Sequence, residues 1–510
     1  MKIALAQINT TVGDLEGNVA RCEAAVRSAQ RDSADLVVLP ELAVPGYPPR
    51  DILFDASFVE AVQAATADLA RRTAGGPPTV VGSLSPSGIT RPGHPGLYNV
   101  AMLLHAGEAR LVAAKRLLPG YDIFFETRWF QPGPASEPIG VAGRRVGVLV
   151  CEDLWDEGYA VHPPAELRAA GAEILVSLNA SPYHPGVMHK RLYHAQRTGL
   201  PTAFVNLSGA NDELVFDGRS FALDGAGRVL AQLAGFREAV RVIDLEAEAA
   251  VVEIPPDSVA ELYRALVVGV RDFVHKNDLQ RAFVGLSGGI DSSLTAIIAA
   301  EALGADCVTG VAIPSRHTDP RSTACARELA TALGIGFEVV ELEALHSAAE
   351  ETLGAGLDED ATLENVQARL RAMILMSFVN RHGGLLLNTS NKTELALGYA
   401  TLYGDLAGGL CPIADLTKPE VYELARWIQS ERGIIPHFTL ARAPSAELRP
   451  GQVDPFDYPV VGPAMEQLVR ENRSNAALRQ SEHKRWQTGV VLKVSEKAFG
   501  SGRLIPITRR

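Results

Sequence analysis

Residues 282–299 have the sequence AFVGLSGGIDSSLTAIIA, an apolar run that leads through a glycine-rich turn into a second apolar run. This order predicts a β-strand over Ala282–Leu286, a loop, and a helix from Leu294 onward. Strands and helices alternate around it, with strand-like runs at Cys307–Ile313, Phe337–Glu341 and Leu385–Asn388 and helical patterns at Val259–Asn277, Pro320–Leu333 and Leu363–Val379. Such alternation predicts an α/β fold with a parallel, doubly wound (Rossmann-like) sheet, which binds ligands at the carboxyl ends of its strands.

The glycine-rich turn has the composition of a phosphate-binding loop. Ser287, Gly288 and Gly289 are expected at a helix N-terminus, where unpaired backbone N–H groups and the helix dipole favour an anion. Asp291 would repel a phosphate unless a divalent cation lay between them, so the loop predicts a nucleotide bound with Mg²⁺. The sequence lacks the Walker pattern GxxxxGK[ST], and the loop therefore differs from that of kinases and GTPases.

The motif SGGIDSS, residues 287–293, resembles the pyrophosphate loop of the ATP pyrophosphatases, which activate a carboxylate or carbonyl by adenylylation. The resemblance implies ATP chemistry and leaves the acceptor open. The alternative is a glycine-rich strand-to-helix turn that binds no ligand. A full match of the motif between a strand and a helix disfavours that alternative.

Composition limits the class of protein. The 510 residues favour more than one domain, and 47% hydrophobic with 21% charged residues is typical of a soluble globular protein. A net charge of −12 argues against a nucleic-acid or membrane partner. The opening MKIALAQINTTVGDLEGN lacks the apolar core of a secretory signal, and no window has the apolar length of a membrane span. Five scattered cysteines suggest no disulfide framework and suit a reducing cytosol, so a cytoplasmic location is predicted.

The first half of the chain also mixes strand and helix patterns. Its apolar runs are Ile3–Ile8, Leu36–Leu39, Thr79–Val81, Val146–Val150, Ile174–Leu178 and Ala203–Leu207. Helical patterns lie at Asn18–Ala29, Phe58–Arg72 and Ala165–Ala170. A hairpin pattern closes the half, with Ser220–Leu223 and Val229–Leu233 on either side of DGAGR. The mixture predicts an α/β domain with an antiparallel component.

A proline-rich segment marks the boundary between the halves. Residues 253–258, EIPPDS, contain tandem prolines, which interrupt both helix and sheet. The pattern predicts a first domain over residues 1–248, a linker over 249–258 and a second domain over 259–510.

Three polar residues follow apolar runs in the first half. Cys151 comes after RVGVLV, Glu41 after LVVLP, and Lys115 after LVAA. A cysteine at the end of a buried strand is well placed as a nucleophile if a base and a charge favour its thiolate. A carboxylate can take the thiol proton and later activate water, and an ammonium can stabilise an oxyanion. Taken singly, each residue is also typical of a core cysteine, a turn glutamate or a surface lysine.

The segments LPEL, KRLLP and VCED resemble the Glu–Lys–Cys triad of the nitrilase (carbon–nitrogen hydrolase) superfamily, over roughly the first 245 residues. The resemblance implies an αββα sandwich. It implies Glu41 as general base, Lys115 as stabiliser of the tetrahedral intermediate and Cys151 as the acylated nucleophile. It also implies that the amide substrate, glutamine, is surrounded by Tyr121, Phe124, Glu126, Glu152 and Ser181. Glu126 is equally well interpreted as a structural partner of Lys115.

One departure from the family's pattern follows Ser181. The family usually has SP[YF]xxGK, whereas in this chain Gly186 is followed by Val187, with Lys190 and Arg191 further along. A bound glutamine needs an acid near its α-amino group and a hydrogen-bond donor near its α-carboxylate. The departure predicts that this loop supplies its cation differently or binds glutamine more weakly.

The second half closely resembles the NAD⁺ synthetases, because SGGIDSS, ENVQARLR, TSNKTE, YGD, PSAEL and HKR occur in that order. Joined to a nitrilase-like half, the whole chain resembles the glutamine-dependent members of that family. The resemblance implies that ATP is bound by Gly285, Leu286, Ser287, Gly288, Gly289, Ile290, Asp291, Ser292, Thr389, Lys418 and Ser445. It implies Mg²⁺ ligands at Asp291 and Glu394, and a deamido-NAD⁺ site at Asn365, Glu394, His483 and Lys484.

Ordinary structural roles remain open for several of these residues. Lys418 is also typical of a helix start, and Ser445 of a turn. His483 and Lys484 lie in the charged run EHKR, which in most proteins is a solvated face.

The resemblance implies a complete reaction. ATP adenylylates the carboxylate of deamido-NAD⁺, and ammonia freed from L-glutamine displaces AMP to give NAD⁺. The family's habit of oligomerising predicts a homo-oligomer. One alternative is another ATP-dependent amidotransferase, although related SGGxDS enzymes that make guanylate or asparagine carry unrelated glutaminase halves. The other alternative is an amide hydrolase fused to a nucleotide-sensing module.

Overall fold

A computed structural model describes residues 1–89, 91–246, 252, 258–354, 361–500 and 502 of the chain. The chain divides into two units: Met1–Asn211 with Val215–Asp257, and Asp212–Leu214 with Ser258–Arg510. Of the predicted linker, residues 249–258, all but 252 and 258 lie outside the described residues. None of the described helices combines the length and the apolar character that a bilayer crossing requires.

The helices of the first unit are α1 (Leu15–Arg31), α2 (Ala56–Arg72), α3 (Pro163–Ala169) and α4 (Val187–Arg197). Its strands are β1 (Lys2–Gln7), β2 (Leu36–Val38), β3 (Thr79–Pro86), β4 (Leu97–His105), β5 (Glu108–Ala114), β6 (Ile139–Val141), β7 (Arg144–Val150), β8 (Ile174–Asn179), β9 (Thr202–Asn206), β10 (Ser208–Asn211), β11 (Leu214–Asp217), β12 (Phe221–Leu223), β13 (Val229–Gln232) and β14 (Ala239–Asp244). Each strand and helix predicted in this half is present, with ends displaced by a few residues. The predictions did not include α4, β4, β6, β10, β11 or β14.

Two sheets of the first unit face each other through a shared apolar core. Their strand orders are β14-β1-β2-β3-β4-β5 and β13-β12-β9-β8-β7-β6. Alternation along β7 shows the packing, because Val146, Val148 and Val150 enter the core between the sheets while Leu149 joins the cluster beneath α3 and α4. Helices α1 and α2 pack on the outer face of the other sheet. Both sheets mix parallel and antiparallel pairs, and the predicted αββα sandwich is confirmed.

The helices of the second unit are α5 (Val259–Lys276), α6 (Ile290–Leu303), α7 (Pro320–Leu333), α8 (Glu343–Leu353), α9 (Ala361–His382), α10 (Lys392–Leu397), α11 (Lys418–Arg432), α12 (His437–Ala441), α13 (Tyr458–Arg470) and α14 (Ala476–Arg485). Its strands are β15 (Ala282–Gly285), β16 (Val308–Ala312), β17 (Gly336–Val339), β18 (Leu385–Leu387), β19 (Leu410–Cys411) and β20 (Val490–Val491).

The strands of the second unit form one parallel sheet in the order β17-β16-β15-β18-β19-β20. The chain moves outward from β15 to β17 and then continues on the other side of β15, so its direction reverses between β15 and β18. In sheets of this order, ligands bind in the crevice beyond the carboxyl ends of the strands at the reversal. The loops that begin at Leu286 and Asn388 border that crevice. The predicted doubly wound sheet is confirmed.

Helix α6 begins at Ile290, earlier than the predicted start at Leu294. The reason is local, because the hydroxyls of Ser292 and Ser293 donate to the carbonyl of Gly289 at 3.1 and 2.7 Å. These polar residues therefore support the first helical turn instead of extending the loop. As a result, Asp291 stands on the first turn of α6, and Gly289 is its N-cap.

A buried ion pair joins α4 to β11 in the first unit. Arg191 Nη1 lies 2.9 Å from both carboxylate oxygens of Asp217, and the two side chains are 0% and 1% exposed. Nη2 of the arginine donates to the carbonyl of Ser181 at 2.7 Å, and Nε to its hydroxyl at 3.1 Å. Because a buried charge is tolerated only when it is paired, this ion pair fixes the loop that carries Ser181.

Replacement of Arg191 by methionine is expected to lower the free energy of unfolding by about 3–5 kcal/mol, because Asp217 would remain buried and unpaired. The double variant Arg191→Met/Asp217→Leu should recover much of that loss. Calorimetric unfolding of the two variants beside the wild type measures both effects.

Arg197, on the same helix, provides the matched control. It pairs with Glu157 at 2.9 Å between side chains that are 45% and 57% exposed. Since exposed ion pairs contribute little, Arg197→Met should change the free energy of unfolding by less than about 1 kcal/mol. Equal losses for the two arginine variants would contradict the role given to the buried pair.

Candidate active sites

Cys151 is the first residue after β7 and opens a short 3-10 turn, Cys151–Leu154. Its backbone has a φ of 46°, in the left-handed region that residues other than glycine rarely adopt. This conformation turns the chain sharply at the strand end, and the cysteine is only 6% exposed. Strain of this kind persists where the surrounding structure enforces it, and it is frequent at active sites.

Glu41 and Lys115 form a buried ion pair in the same unit. Lys115 Nζ lies 2.9 Å from Glu41 Oε1 and 2.7 Å from Glu126 Oε1. All three side chains are buried. The charges of Glu41, Lys115 and Glu126 all influence the pKa of the Cys151 thiol. The structure therefore brings together the three residues predicted as a triad, and it places Glu126 on the lysine.

Neighbouring segments hold Glu41 in place. Asn99 on β4 donates from Nδ2 to Glu41 Oε1 at 2.7 Å, and the backbone N–H of Ala180 donates to Oε2 at 3.0 Å. Gly82 on β3 passes so close that a Cβ there would lie 2.6 Å from the carbonyl carbon of Glu41. A side chain at that position would push the glutamate away from the lysine. Sequence reasoning did not find Asn99, because its contact depends on how β4 pairs with its neighbours.

Burial and neighbouring charges set the protonation states of this group. Burial alone would lower the pKa of Lys115, but Glu126 and Glu41 outweigh it and hold that pKa well above its usual value. Burial, reinforced by Glu41, raises the pKa of the Cys151 thiol well above its usual value. Burial also raises the pKa of Glu126 to about 7, against the opposing effect of Lys115. The resting group thus contains an ammonium and a thiol, and the thiol needs a base before it can act as a nucleophile.

Two tyrosines hold Glu152 beside the cysteine. Tyr121 donates to Glu152 Oε2 at 3.1 Å, and Tyr159 donates to Oε1 at 2.9 Å. The ring of Tyr121 packs edge-on against Phe124, with centroids 5.5 Å apart. Burial raises the pKa of the Glu152 carboxyl. Tyr121, Phe124 and Glu152 are therefore brought together as the sequence predicts, and Tyr159 is an addition that the sequence did not reveal.

Asp153 organises the backbone around the cysteine. Its Oδ1 accepts the N–H groups of Arg116 at 2.8 Å and Leu117 at 3.0 Å, and its Oδ2 accepts that of Val150 at 3.3 Å. These bonds connect the segment that follows the lysine to the strand that precedes the cysteine. The only sequence signal for this role was the second acid of VCED.

The loop that carries Ser181 is fixed from inside the fold. The N–H of Ser181 donates to Asn206 Oδ1 at 2.8 Å, and its hydroxyl and carbonyl accept from Arg191. Val187, at the position where the family usually has lysine, is the buried first residue of α4. Arg191 follows on the same helix, and its charge is paired with Asp217. The cation near this loop therefore supports the backbone.

In the second unit, the loop after β15 is shaped by a hydroxyl and a glycine. The N–H of Gly289 donates to Ser287 Oγ at 3.3 Å, and the N–H of Ser287 donates to Ser292 Oγ at 3.3 Å. Gly288 has a φ of 78°, and a Cβ there would lie 2.1 Å from the carbonyl oxygen of Ser322. Only glycine fits this position. The loop leads directly into the N-terminus of α6, a favourable place for an anion.

A lysine bridges the two carboxylates predicted as metal ligands. Lys418 Nζ lies 2.6 Å from Asp291 Oδ2 and 3.2 Å from Glu394 Oε1. Asn391 donates to Asp291 Oδ1 at 3.0 Å and also caps α10, which carries Glu394. Burial alone would lower the pKa of Lys418, but the two carboxylates raise it above its usual value. Burial raises the pKa of Glu394 to about 7, although Lys418 opposes the shift.

Within the described part of the chain, no three His, Cys, Asp or Glu side chains come together as a metal-binding group. Two carboxylates are nevertheless a sufficient protein contribution for Mg²⁺, which commonly takes its other ligands from water and substrate phosphates. Asp291 and Glu394 supply such a pair, and their contacts with Lys418 show that the position accepts positive charge.

Two cavities lie beyond the carboxyl ends of β15 and β18. One, of about 280 Å³, is largely apolar, and its lining includes residues 285–287, Ile313, Arg371, Leu387 and Thr389. The other, of about 130 Å³, is polar, and its lining includes Asp291, Glu394, Lys418, Arg442 and Ser445. Both cavities are lined by Asp405 and Ala446, so they share a wall. The first has the character of a nucleoside site, and the second that of a phosphate site.

The residues predicted to bind deamido-NAD⁺ are distributed differently. Glu394 lines the polar cavity, whereas Asn365 accepts a hydrogen bond from the Thr401 hydroxyl at 2.7 Å. Lys484 Nζ donates to backbone carbonyls after α10 at 2.8 and 2.6 Å, and His483 is exposed. Asn365, His483 and Lys484 are not among the described residues that line the two cavities.

The polar cavity also contains groups that sequence reasoning missed: Tyr399, Tyr422, Thr439, Arg442 and Asp454. Tyr399 immediately precedes the segment that ends in YGD, and Arg442 lies directly before the segment APSAEL. For these two residues, the sequence signal was their position beside a motif. That signal does not distinguish a residue that lines a cavity from one on the surface.

Comparison with known proteins extends over the whole chain. Residues 2–252 match the carbon-nitrogen hydrolase family, and residues 262–498 match the NAD synthase family. The glutamine-dependent NAD(+) synthetase of Synechocystis sp. is 38% identical, with 99% of this chain and 98% of the relative covered. That of Rhodobacter capsulatus is also 38% identical, with 100% and 98% covered.

A solved structure is similar over the same range. The glutamine-dependent NAD+ synthetase from Acinetobacter baumannii, in complex with ADP, matches with a TM-score of 0.81 at 32% identity. The match covers 99% of this chain and 98% of that one. The sequence-based family assignment is confirmed, and the chain belongs to the glutamine-dependent NAD(+) synthetase family.

Proposed function

We propose that the chain makes NAD⁺ from deamido-NAD⁺ and ATP, with L-glutamine as the nitrogen donor. The observation that carries the proposal is that one chain of this family contains both a buried Cys–Lys–Glu group and a phosphate loop bordering two cavities. The first group suits amide hydrolysis and the second suits nucleotide chemistry, so neither alone accounts for the chain. The proposed domains are residues 1–248 and 259–510, joined by the linker 249–258.

In the glutaminase step, Cys151 Sγ attacks the side-chain carboxamide of glutamine. Glu41 takes the thiol proton, which the buried thiol does not lose by itself. Lys115 stabilises the negative oxygen of the tetrahedral intermediate, which is the role that its fixed ammonium favours. Glu41 returns that proton to the amide nitrogen, so that ammonia leaves and a thioester remains. The carboxylate of Glu41 then activates the water that hydrolyses the thioester. Glu126 keeps the lysine charged and positioned throughout.

Recognition of glutamine is assigned to the group around Glu152. Its carboxylate, held by Tyr121, pairs with the α-ammonium group of the substrate. Phe124 and Ser181 form further walls of this glutamine site. Because Arg191 is already paired with Asp217, the α-carboxylate of glutamine is bound by hydrogen-bond donors and not by that arginine.

In the synthetase step, the carboxylate of deamido-NAD⁺ attacks the α-phosphorus of ATP and pyrophosphate departs. Ammonia then adds to the acyl carbon and AMP leaves, which gives the amide of NAD⁺. The proposed ATP-binding group is residues 285–292 with Thr389, Lys418 and Ser445. The proposed deamido-NAD⁺ group is Asn365, Glu394, His483 and Lys484. Lys418 orients two carboxylates in this step and supplies positive charge next to the phosphates.

Mg²⁺ is proposed to be held by Asp291 and Glu394. The donor set supports this, because two carboxylate oxygens already accept the Lys418 ammonium at 2.6 and 3.2 Å. When bound, the ion neutralises charge on the triphosphate. We also propose a cytoplasmic location, which the five free cysteines favour, and a homo-oligomer, which the family resemblance suggests.

Cys151→Ala is expected to lower glutamine-dependent NAD⁺ formation by roughly 10³-fold or more, because no nucleophile remains to release ammonia. The variant should keep NAD⁺ formation from added ammonium chloride. NAD⁺ and AMP are measured together in both assays. Cys307→Ala, at a partly exposed cysteine of the other unit, should retain both activities. The proposed division of labour between the two units would be contradicted if Cys151→Ala, but not Cys307→Ala, lost NAD⁺ formation from added ammonium chloride.

Glu152→Gln is expected to raise the KM for L-glutamine roughly 10- to 100-fold, because a charged hydrogen bond to the α-ammonium is lost. The ammonia-driven rate should not change. The specific test compares L-glutamine with glutaramate, which lacks the α-amino group. The wild type should strongly prefer L-glutamine, and the variant should lose most of that preference. An unchanged preference would remove Glu152 from recognition of the α-amino group.

Asp291→Asn is expected to raise the Mg²⁺ concentration required for half-maximal activity about tenfold or more, because one of two carboxylate ligands loses its charge. The measurement is the ammonia-driven rate as a function of Mg²⁺ at saturating ATP. Asp306→Asn, in the turn after α6, is the control and should follow the wild type. An unchanged Mg²⁺ requirement in Asp291→Asn would contradict the proposed metal site.

A further inference from the structure

The polar cavity contains a second cation whose role the mechanism above leaves unassigned. Arg442 lies in the segment after α12 and lines the cavity that also contains Asp291 and Lys418. One edge of its guanidinium is occupied, because Nη1 donates to Ser322 Oγ at 2.6 Å and to Glu447 Oε1 at 2.9 Å. The arginine side chain is 13% exposed. It is therefore fixed in the cavity wall and is not a mobile surface group.

The other edge of the same guanidinium lies against the phosphate loop. A Cβ added to Gly289 would lie 3.4 Å from Arg442 Nη2. Among the residues that the structure describes, neither Nη2 nor Nε of Arg442 has a hydrogen-bond acceptor. A guanidinium carries five N–H donors and stays charged at all physiological pH values. Three of the five N–H groups, two on Nη2 and one on Nε, are thus left for a ligand in the cavity.

This cation lies beside a helix end that already carries partial positive charge. Gly289 is the N-cap of α6, where the helix dipole places partial positive charge. A guanidinium beside that helix end places a second positive charge next to the first. Glu447 and Asp291 balance part of it. However, Glu447 contacts Nη1, the edge away from the loop, and Asp291 is engaged by Lys418. An anion held between the helix end and Nη2 would satisfy both groups.

Further contacts attach the arginine segment to the loop. Thr439 donates its hydroxyl to the carbonyl of Gly288 at 3.0 Å. The Arg442 guanidinium lies 5.6 Å from the centroid of the Phe438 ring. Lys418, the other cation in the cavity wall, is already engaged by Asp291 and Glu394. Arg442 is therefore the better placed of the two for the part of the triphosphate that leaves.

We propose that Arg442 binds the β- and γ-phosphates of ATP through Nη2 and Nε and stabilises pyrophosphate as it departs. This inference rests on the proposed function. In the step concerned, an oxygen of the acceptor carboxylate forms a bond to the α-phosphorus, and the bond from that phosphorus to the α,β-bridging oxygen breaks. Pyrophosphate leaves with the electron pair of the broken bond. A planar fork that matches two phosphate oxygens suits this charge better than a single ammonium.

Inorganic pyrophosphate is the probe that tests the assignment. Its inhibition constant against ATP is measured in the ammonia-driven reaction with Mg²⁺ present, beside that of AMP. Arg442→Gln should raise the constant for pyrophosphate roughly 10- to 100-fold, because a charged hydrogen-bonding fork is lost. The constant for AMP, which has no β- or γ-phosphate, should change less than about twofold. Arg442→Lys, which keeps the charge without the fork, should give an intermediate value.

Arg321→Gln is the matched control. Arg321 lies over the same Phe438 ring, 4.4 Å from its centroid, but it pairs with Asp319 and is 70% exposed. Its inhibition constants should equal those of the wild type. An unchanged pyrophosphate constant in Arg442→Gln would overturn the proposal. Equal weakening of pyrophosphate and AMP would also overturn it, because it would indicate general damage to the cavity.

Failure of the proposed function would be visible separately. In that case the wild type would form no NAD⁺ from ammonia, ATP and deamido-NAD⁺. Stabilisation of the wild type against heat by pyrophosphate with Mg²⁺ then replaces the kinetic readout. Stabilisation that is lost in Arg442→Gln, reduced in Arg442→Lys and kept in Arg321→Gln would still support the arginine as the pyrophosphate-binding group. Equal stabilisation of all four proteins would overturn it.

Discussion

A buried lysine between two carboxylates is the interaction on which the first site depends, and Lys418 repeats the arrangement in the second unit. An ammonium withdrawn from water is stable only when it is paired, so Lys115 needs Glu41 and Glu126. Burial raises the pKa of Glu126 to about 7, and the one ammonium, which is shared with Glu41, does not offset that effect. The group is therefore short of positive charge. That shortage favours uptake of a proton by a carboxylate of the group. The buried thiol can lose its proton only if such a base accepts it.

The same physics has a different consequence in the second unit. Lys418 bridges Asp291 and Glu394, and the pKa of Glu394 is again raised to about 7 because burial outweighs the single lysine. None of the described residues that line the polar cavity is a cysteine, and the group instead adjoins a phosphate loop with its own positive helix end. Negative charge that one lysine leaves uncompensated favours an additional cation between the carboxylates and the phosphates. In the proposed reaction, one arrangement of side chains thus serves proton transfer in one site and metal-assisted phosphate chemistry in the other.

Both folds were predictable from the sequence, and so were the motifs, because their signals are contiguous. The phosphate loop joins a strand, two glycines and a helix within SGGIDSS, and Cys151 follows its strand directly. The supporting contacts were not predictable, because they join distant positions. Asn99 contacts Glu41 across 58 residues of chain, and that pairing depends on the register of the sheet. Val187 illustrates the same limit. The missing lysine was evident in the sequence, but the paired and buried state of Arg191 was not.

The order of strands decides where the chemistry of the second unit takes place. Because the chain reverses between β15 and β18, the loops after both strands border one crevice, and the apolar and polar cavities adjoin each other there. The α-phosphorus of ATP connects the nucleoside to the pyrophosphate, so in the proposed reaction it lies at the wall that the cavities share, at Asp405 and Ala446. Attack on phosphorus proceeds in line with the leaving group. The acceptor carboxylate must therefore approach from the side opposite the phosphate loop and Arg442.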